Sequence, residues 1–126
     1  MKAGIAQNYD IKTLSIHISA TVATLGLGAV PTGMKRYVTM VRANNISGAN
    51  QTVYLCSGTG SVTPGTTASA SAAQKYAVQL EANESDEFPR SLPDPEKPLF
   101  SLAASKYIVA KTSVGNCRLF LQYYDM

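Results

Sequence analysis

An all-β fold, an antiparallel β-sandwich or jelly-roll-like barrel of about eight strands, is what this sequence predicts. Three observations predict it. No segment sustains a helical period of apolar residues, β-branched and aromatic residues recur in short runs, and Gly, Asn, Ser and Pro punctuate those runs. With 126 residues, 45% of them hydrophobic, there is material for one core, so residues 1–126 read as a single domain. Only 15% are charged, a low density for a free-standing monomer, so copies or a partner are expected to cover part of the surface.

The elements follow in order. Leu14, Ile16 and Ile18 alternate with Thr13, Ser15 and His17, a period of two that puts the aliphatic side chains on one face of a strand. Thr21 to Leu25 gives a short second strand, and Val30-Pro31-Thr32-Gly33 reads as a turn, with Pro fixing φ and Gly accepting φ > 0. Arg36 to Ala43 carries apolar residues on both faces, the mark of a central strand covered on both sides. Turn residues from Asn44 to Asn50 lead to a strand from Gln51 to Ser57, and the two strands are expected to form a hairpin with a long connection.

Residues 58–73 are built almost wholly from Gly, Ser, Thr and Ala, with one Val and one Pro, and such a run buries too little apolar area to offset the entropy of ordering it. A flexible loop is expected there. Gly58-Thr59-Gly60 lacks the further Gly and Lys of a phosphate-binding loop. Tyr76, Val78 and Leu80 alternate with Lys75, Gln79 and Glu81 in a strand buried on one face. Between 83 and 98 four prolines (Pro89, Pro93, Pro95, Pro98) remove backbone donors, so the segment is expected to run as an extended arm anchored by Phe88, Leu92 and the Leu99-Phe100 pair. Lys106 to Thr112 and Cys117 to Tyr124 complete the strands, with a turn at Ser113 to Asn116 between them.

The residues argue against catalysis. His17 is the one histidine, on the polar face of its strand, and no Gly-x-Ser-x-Gly elbow accompanies it, so neither general acid–base chemistry nor a serine triad is supported. Cys56, Cys117 and His17 are too few and too scattered for zinc. The acids Glu84, Asp86 and Glu87 lack the glycine and distal glutamate of a calcium loop. The chain has no Trp to build sugar subsites for a glycosidase. No enzyme activity, metal or cofactor is therefore expected. Both cysteines fall in apolar strand-like runs and read as buried free thiols; a disulfide would need their Cα atoms within roughly 7 Å.

The net charge of +3 is too mild, and its Lys and Arg too dispersed, for a nucleic-acid surface. The amino-terminal segment lacks the apolar stretch of a secretory signal and nothing reaches the length of a membrane span, so a product made in the cytosol is expected. Charge distribution is more telling. Six of the eight acids (Glu81, Glu84, Asp86, Glu87, Asp94, Glu96) cluster in one stretch offset by Arg90 and Lys97. Residues Phe88 to Phe100 are expected to form an arm that contacts an adjacent subunit, with Arg36, Arg42 and Arg118 receiving its acids. Tyr123 and Tyr124 are the tyrosines expected at an interface.

With the strands laid out, the chain resembles the small β-sandwich virion proteins of tailed phages, the capsid decoration or cement proteins and related head or fibre modules. The residues that carry the resemblance are Pro31 to Val38, the Asn44 to Gly48 turn before Val53-Tyr54-Leu55, Pro98-Leu99-Phe100, and Tyr123-Tyr124-Asp125. The resemblance implies a structural protein located in the virion that binds the major capsid protein without chemistry, commonly as a homotrimer. The alternative is a carbohydrate- or receptor-binding sandwich of a fibre or surface structure.

Overall fold

A computed structural model of the protein describes residues 9–18, 22–24, 27–58 and 73–126. Among the described residues nine strands form: β1 (Lys12–Ile18), β2 (Val22–Thr24), β3 (Arg36–Asn45), β4 (Gln51–Gly58), β5 (Ala73–Leu80), β6 (Ser85–Phe88), β7 (Phe100–Leu102), β8 (Tyr107–Thr112) and β9 (Cys117–Asp125). All pairs are antiparallel. They build two sheets packed as a sandwich. The first runs β1-β9-β3-β6, with β7 also on β3, and the second runs β2-β8-β4-β5. This is the strand order of a jelly roll in which β6 and β7 jointly fill one edge position, β7 beside Arg36–Val38 and β6 beside Val41–Asn44. Two short strands sharing one place reconcile nine strands with the expected count.

Between the sheets, inward residues of both sheets form one core. Ile18, Val38, Val41, Leu119 and Leu121 come from the first sheet and Val53, Leu55, Leu80 and Ile108 from the second, all essentially inaccessible. The alternation predicted for β1 holds, with Ile18 buried, Leu14 and Ile16 half-buried, and Thr13, Ser15 and His17 exposed. The predicted turn also forms: Met34 N–H donates to the Pro31 carbonyl at 3.1 Å, and Gly33 has φ of 79°, a value L side chains rarely adopt.

β3 is central, as its sequence predicts, and a bulge explains why both of its faces are apolar. Val38 opposes Tyr123 and Met40 opposes Gln122, so Thr39 is the extra residue and its hydroxyl donates to the Gln122 carbonyl at 3.2 Å. Val38, Val41 and Ala43 point into the core. Tyr37 and Met40 take the outer face, which a later segment covers.

The expected β3–β4 hairpin does not form. β3 pairs with β6, β7 and β9, whereas β4 lies in the other sheet between β5 and β8. Asn45, fully buried, is the reason. Its amide NH₂ donates to the carbonyls of Ala49 and Glu81 at 2.8 Å each. Its carbonyl accepts from the Ser47 backbone N–H, the Ser47 hydroxyl and the Gln51 amide. This knot turns the chain out of one sheet and into the other, and every buried group it satisfies would be costly to leave unpaired.

The Gly-, Ser- and Thr-rich run expected to be a flexible loop at 58–73 falls, apart from Gly58 and Ala73, outside the described residues. Cys56 and Cys117 are buried free thiols in different sheets. Burial raises the pKa of both, that of Cys117 to about 11.

Candidate interaction surface

The proline-rich segment is a closed excursion along one edge of β3. It leaves at Phe88, opposite Val41, and returns at Phe100, opposite Val38, so its two ends sit three residues apart on the same strand. The prolines do exclude a central strand, but Ser85–Phe88 still pairs as an edge strand, so the arm is docked on its own sheet.

Phe88 and Phe100 anchor its ends. Both meet Tyr76 of β5, at ring-centroid distances of 5.7 Å and 5.9 Å, which closes this side of the sandwich between the two sheets. Leu99 packs on the core and its N–H donates to the Val38 carbonyl at 2.8 Å. Pro98 is half-buried beside them. Leu92, expected as a further anchor, is instead 89% exposed. Flanked by Ser91 and Pro93 at the outer bend, it has no strand to lie against.

From there the arm folds over the outer face of the first sheet. The Tyr124 hydroxyl donates to the Pro95 carbonyl at 2.7 Å, and a turn closed by Lys97 N–H on the Asp94 carbonyl at 2.9 Å brings the chain back. The Asp94 carboxylate caps the same turn by accepting from Glu96 N–H at 3.0 Å. Tyr123 and Tyr124, expected at an interface, are thus buried: Tyr123 faces the core, and Tyr124 lies under the arm between Tyr9 and Tyr37, at 4.7 Å and 5.0 Å. Burial, then the neighbouring phenols of Tyr9 and Tyr37 and the carboxylates of Glu96 and Asp94, hold the Tyr124 phenol above its usual pKa.

The charges resolve differently from the sequence expectation. Arg36 is on the inner side, where its guanidinium makes a bidentate pair with Asp125 at 2.8 Å and 2.9 Å, donates to the Gly28 carbonyl at 3.0 Å and lies over the Tyr123 ring. It is unavailable to any acid of the arm. Arg42 meets Glu87 of its own chain at 3.5 Å and stacks over Phe120, with its centre 5.6 Å from the ring. Arg90 pairs with Asp86 at 3.0 Å and stacks over Phe88. The Glu84 carboxylate accepts from Glu81 N–H at 3.3 Å, tightening the turn into β6. Arg118 projects from the outer face of β9 between His17 and Asn44 and is exposed. The structure therefore brings Arg42, Asp86, Glu87, Phe88, Pro89 and Arg90 together with Leu92, and separates Arg36 and Arg118 from them.

Two recesses flank this ridge. One, of about 610 Å³, lies between β6 and the outer bend and is lined by Arg42, Asp86, Glu87, Pro89, Arg90 and Leu92. The other, of about 440 Å³, is a more apolar cleft between Ile11 and the arm, walled by Pro93 and Pro95 and floored by Met40, Phe120 and Gln122. Sequence reasoning missed this cleft because its walls come from four separate segments; the one local signal is the outward Met40 that the bulge creates. Among the described residues there is no group of three or more His, Cys, Asp or Glu able to hold a metal, and no helix long and apolar enough to cross a membrane.

The fold and the surface define an antiparallel jelly-roll sandwich bearing a braced, proline-rich edge excursion. No family model and no curated protein matches the chain. A solved structure described as "Crystal structure of PirA" is similar with a TM-score of 0.41 and 14% identity over 99% of this chain and 100% of that one, too distant a likeness to carry a functional argument.

Proposed function

We propose that this chain is a non-enzymatic structural protein of a virion that binds the major capsid protein as a decoration or cement subunit, in several copies per particle, and that the arm makes the contact. The observation that carries the reading is Leu92, 89% exposed at the bend of an arm whose two ends and middle are fixed to its own sheet. A large apolar side chain held out in this way packs little within its own chain, and with the half-buried Pro93 beside it on the braced bend it offers apolar area that a partner would take from water.

Because the arm is already ordered, little conformational entropy is lost when it docks. The acids contribute a charged rim already paired within the chain, through Arg42–Glu87 and Arg90–Asp86. Weak contacts of this size hold when many copies share a lattice. Jelly-roll sandwiches occur in both capsid and lectin domains, so the fold leaves the choice of ligand to the surface.

Co-sedimentation with undecorated shells tests the reading. The wild-type chain is expected to bind, and Leu92→Ser to bind about tenfold more weakly, the effect of leaving one leucine unburied. Unchanged binding by Leu92→Ser, or glycan binding in the absence of any binding to shells, would sink it.

A further inference from the structure

We propose that β1 is a self-pairing edge: two copies of this chain join antiparallel along β1, centred on Ser15, to make one continuous sheet across a two-fold axis. The inference is independent of what the arm binds.

The other edges among the described residues are guarded. β2 and β7 have three residues each, and β6 has four and stops at Pro89. β5 is longer, but its ladder with β4 breaks register between Leu55 and Cys56 and it bears exposed Gln74, Lys75 and Gln79. β1 carries one of these guards, the exposed Lys12 at its first residue, and lacks the others. Its seven residues pair with β9 without a register shift, from Lys12 opposite Tyr123 to Ile18 opposite Cys117, and it contains neither Pro nor Gly. Among the described residues no strand lies on its other side. An uninterrupted edge of this length is a template for a further strand.

The side chains say which strand. In an antiparallel pair centred on Ser15, Leu14 faces Ile16, Thr13 faces His17, Lys12 faces Ile18, and Ser15 faces its own copy. Leu14 and Ile16 are half-buried and pack against the core, so their partners across the axis extend that core. Thr13, Ser15 and His17 are exposed and meet polar residues on the same outer side. No like charges stand directly opposite one another, which is the condition for a stable cross-strand set. Any two-fold register centred on a residue of β1 matches inner face to inner face and outer face to outer face, and the one centred on Ser15 is the register that pairs all seven residues.

The test uses the full chain. Light scattering across a concentration series is expected to give the mass of two chains. Ser15→Lys sets two ammonium groups opposite each other at an exposed position and should raise the dimer–monomer midpoint about fivefold in concentration without changing the circular dichroism. Ser15→Cys should form a disulfide-linked dimer on mild oxidation, because directly opposed residues lie roughly 4.5 to 5.5 Å apart between Cα atoms, within disulfide reach. Both native thiols are buried, so they do not compete. A monomer at all concentrations overturns the proposal, as does a trimer, since antiparallel self-pairing closes at two copies. Cross-linking of Thr13→Cys in preference to Ser15→Cys overturns the register.

Discussion

The two edges of the first sheet are built by opposite means. On the β3 side, two short strands, a proline-rich excursion, two aromatic anchors and two ion pairs cover the backbone. On the β1 side, among the described residues, no further strand pairs with the seven residues of β1. Both edges belong to one sheet and share β9 and β3 as its middle, so the difference is not one of core packing. It lies in what each edge is shaped to receive: the guarded edge offers side chains on a rigid mount, and the open edge offers backbone. A molecule with both can bind an unlike surface through one and its own copy through the other.

Disrupting the guarded side at its root should give the largest effect. Arg36→Ala strands the Asp125 carboxylate in a buried site and should cost about 3–5 kcal/mol, the range for breaking a buried pair from one side, read as a lower urea midpoint. A loss below about 1 kcal/mol would show that Asp125 reaches water once Arg36 is gone.

The next effect acts on both edges at once, through the strand between them. Cys117 faces Ile18 of β1 and Asn45 of β3, and burial holds its thiol at about 11 against an ordinary value of 9.0. The unfolded chain ionises this thiol first. Its contribution is therefore complete below pH 9.0 and declines as pH rises towards about 11, by about 1.4 kcal/mol per pH unit within that window. Urea denaturation at pH 8 to 11, compared between wild type and Cys117→Ala, isolates the term: the variant should lose less stability across the window. Equal losses would assign the alkaline sensitivity to other groups.

Smaller still, and confined to the guarded edge, is the single bond at the middle of the arm. Tyr124→Phe removes the donor to the Pro95 carbonyl and should cost about 1 kcal/mol. Hydrogen exchange at the Lys97 amide should quicken while β1 amides stay unchanged. Equal quickening on both edges would mean that the arm and the sheet open together.

Much of the fold was legible because it depends on neighbours in sequence. The alternation in β1, the turn at Gly33 and the central place of β3 all rest on local pattern, and each is found. What was illegible depends on distant partners. The absent hairpin turns on Asn45 reaching Glu81, and Arg36 is withdrawn from the surface by Asp125, 89 positions away. The arm was visible from its prolines, yet its docking onto its own sheet was not, because Tyr124 and Pro95 meet only after β9 is in place. Leu92 was misread for a related reason: apolar character says that a side chain gains from burial, not whether a surface is near enough to bury it. Of the three arginines expected to receive the arm's acids on an adjacent subunit, Arg36 is withdrawn by Asp125, Arg42 meets Glu87 of its own chain, and Arg118 is exposed.

The position of β9 also sets an order for synthesis. Residues 117–125 form the middle of the first sheet, between the strand that opens the sandwich and β3. A ribosome that has released the chain through residue 112 has delivered all four strands of the second sheet, whereas β1 and β3 still lack the strand that joins them. Until β9 emerges, β3 has only β6 and β7 beside it, and Leu14 and Ile16 of β1 have no first sheet to belong to. The nascent chain is then most exposed to chaperones and to wrong pairing, and the last nine-residue strand commits it to the native sandwich.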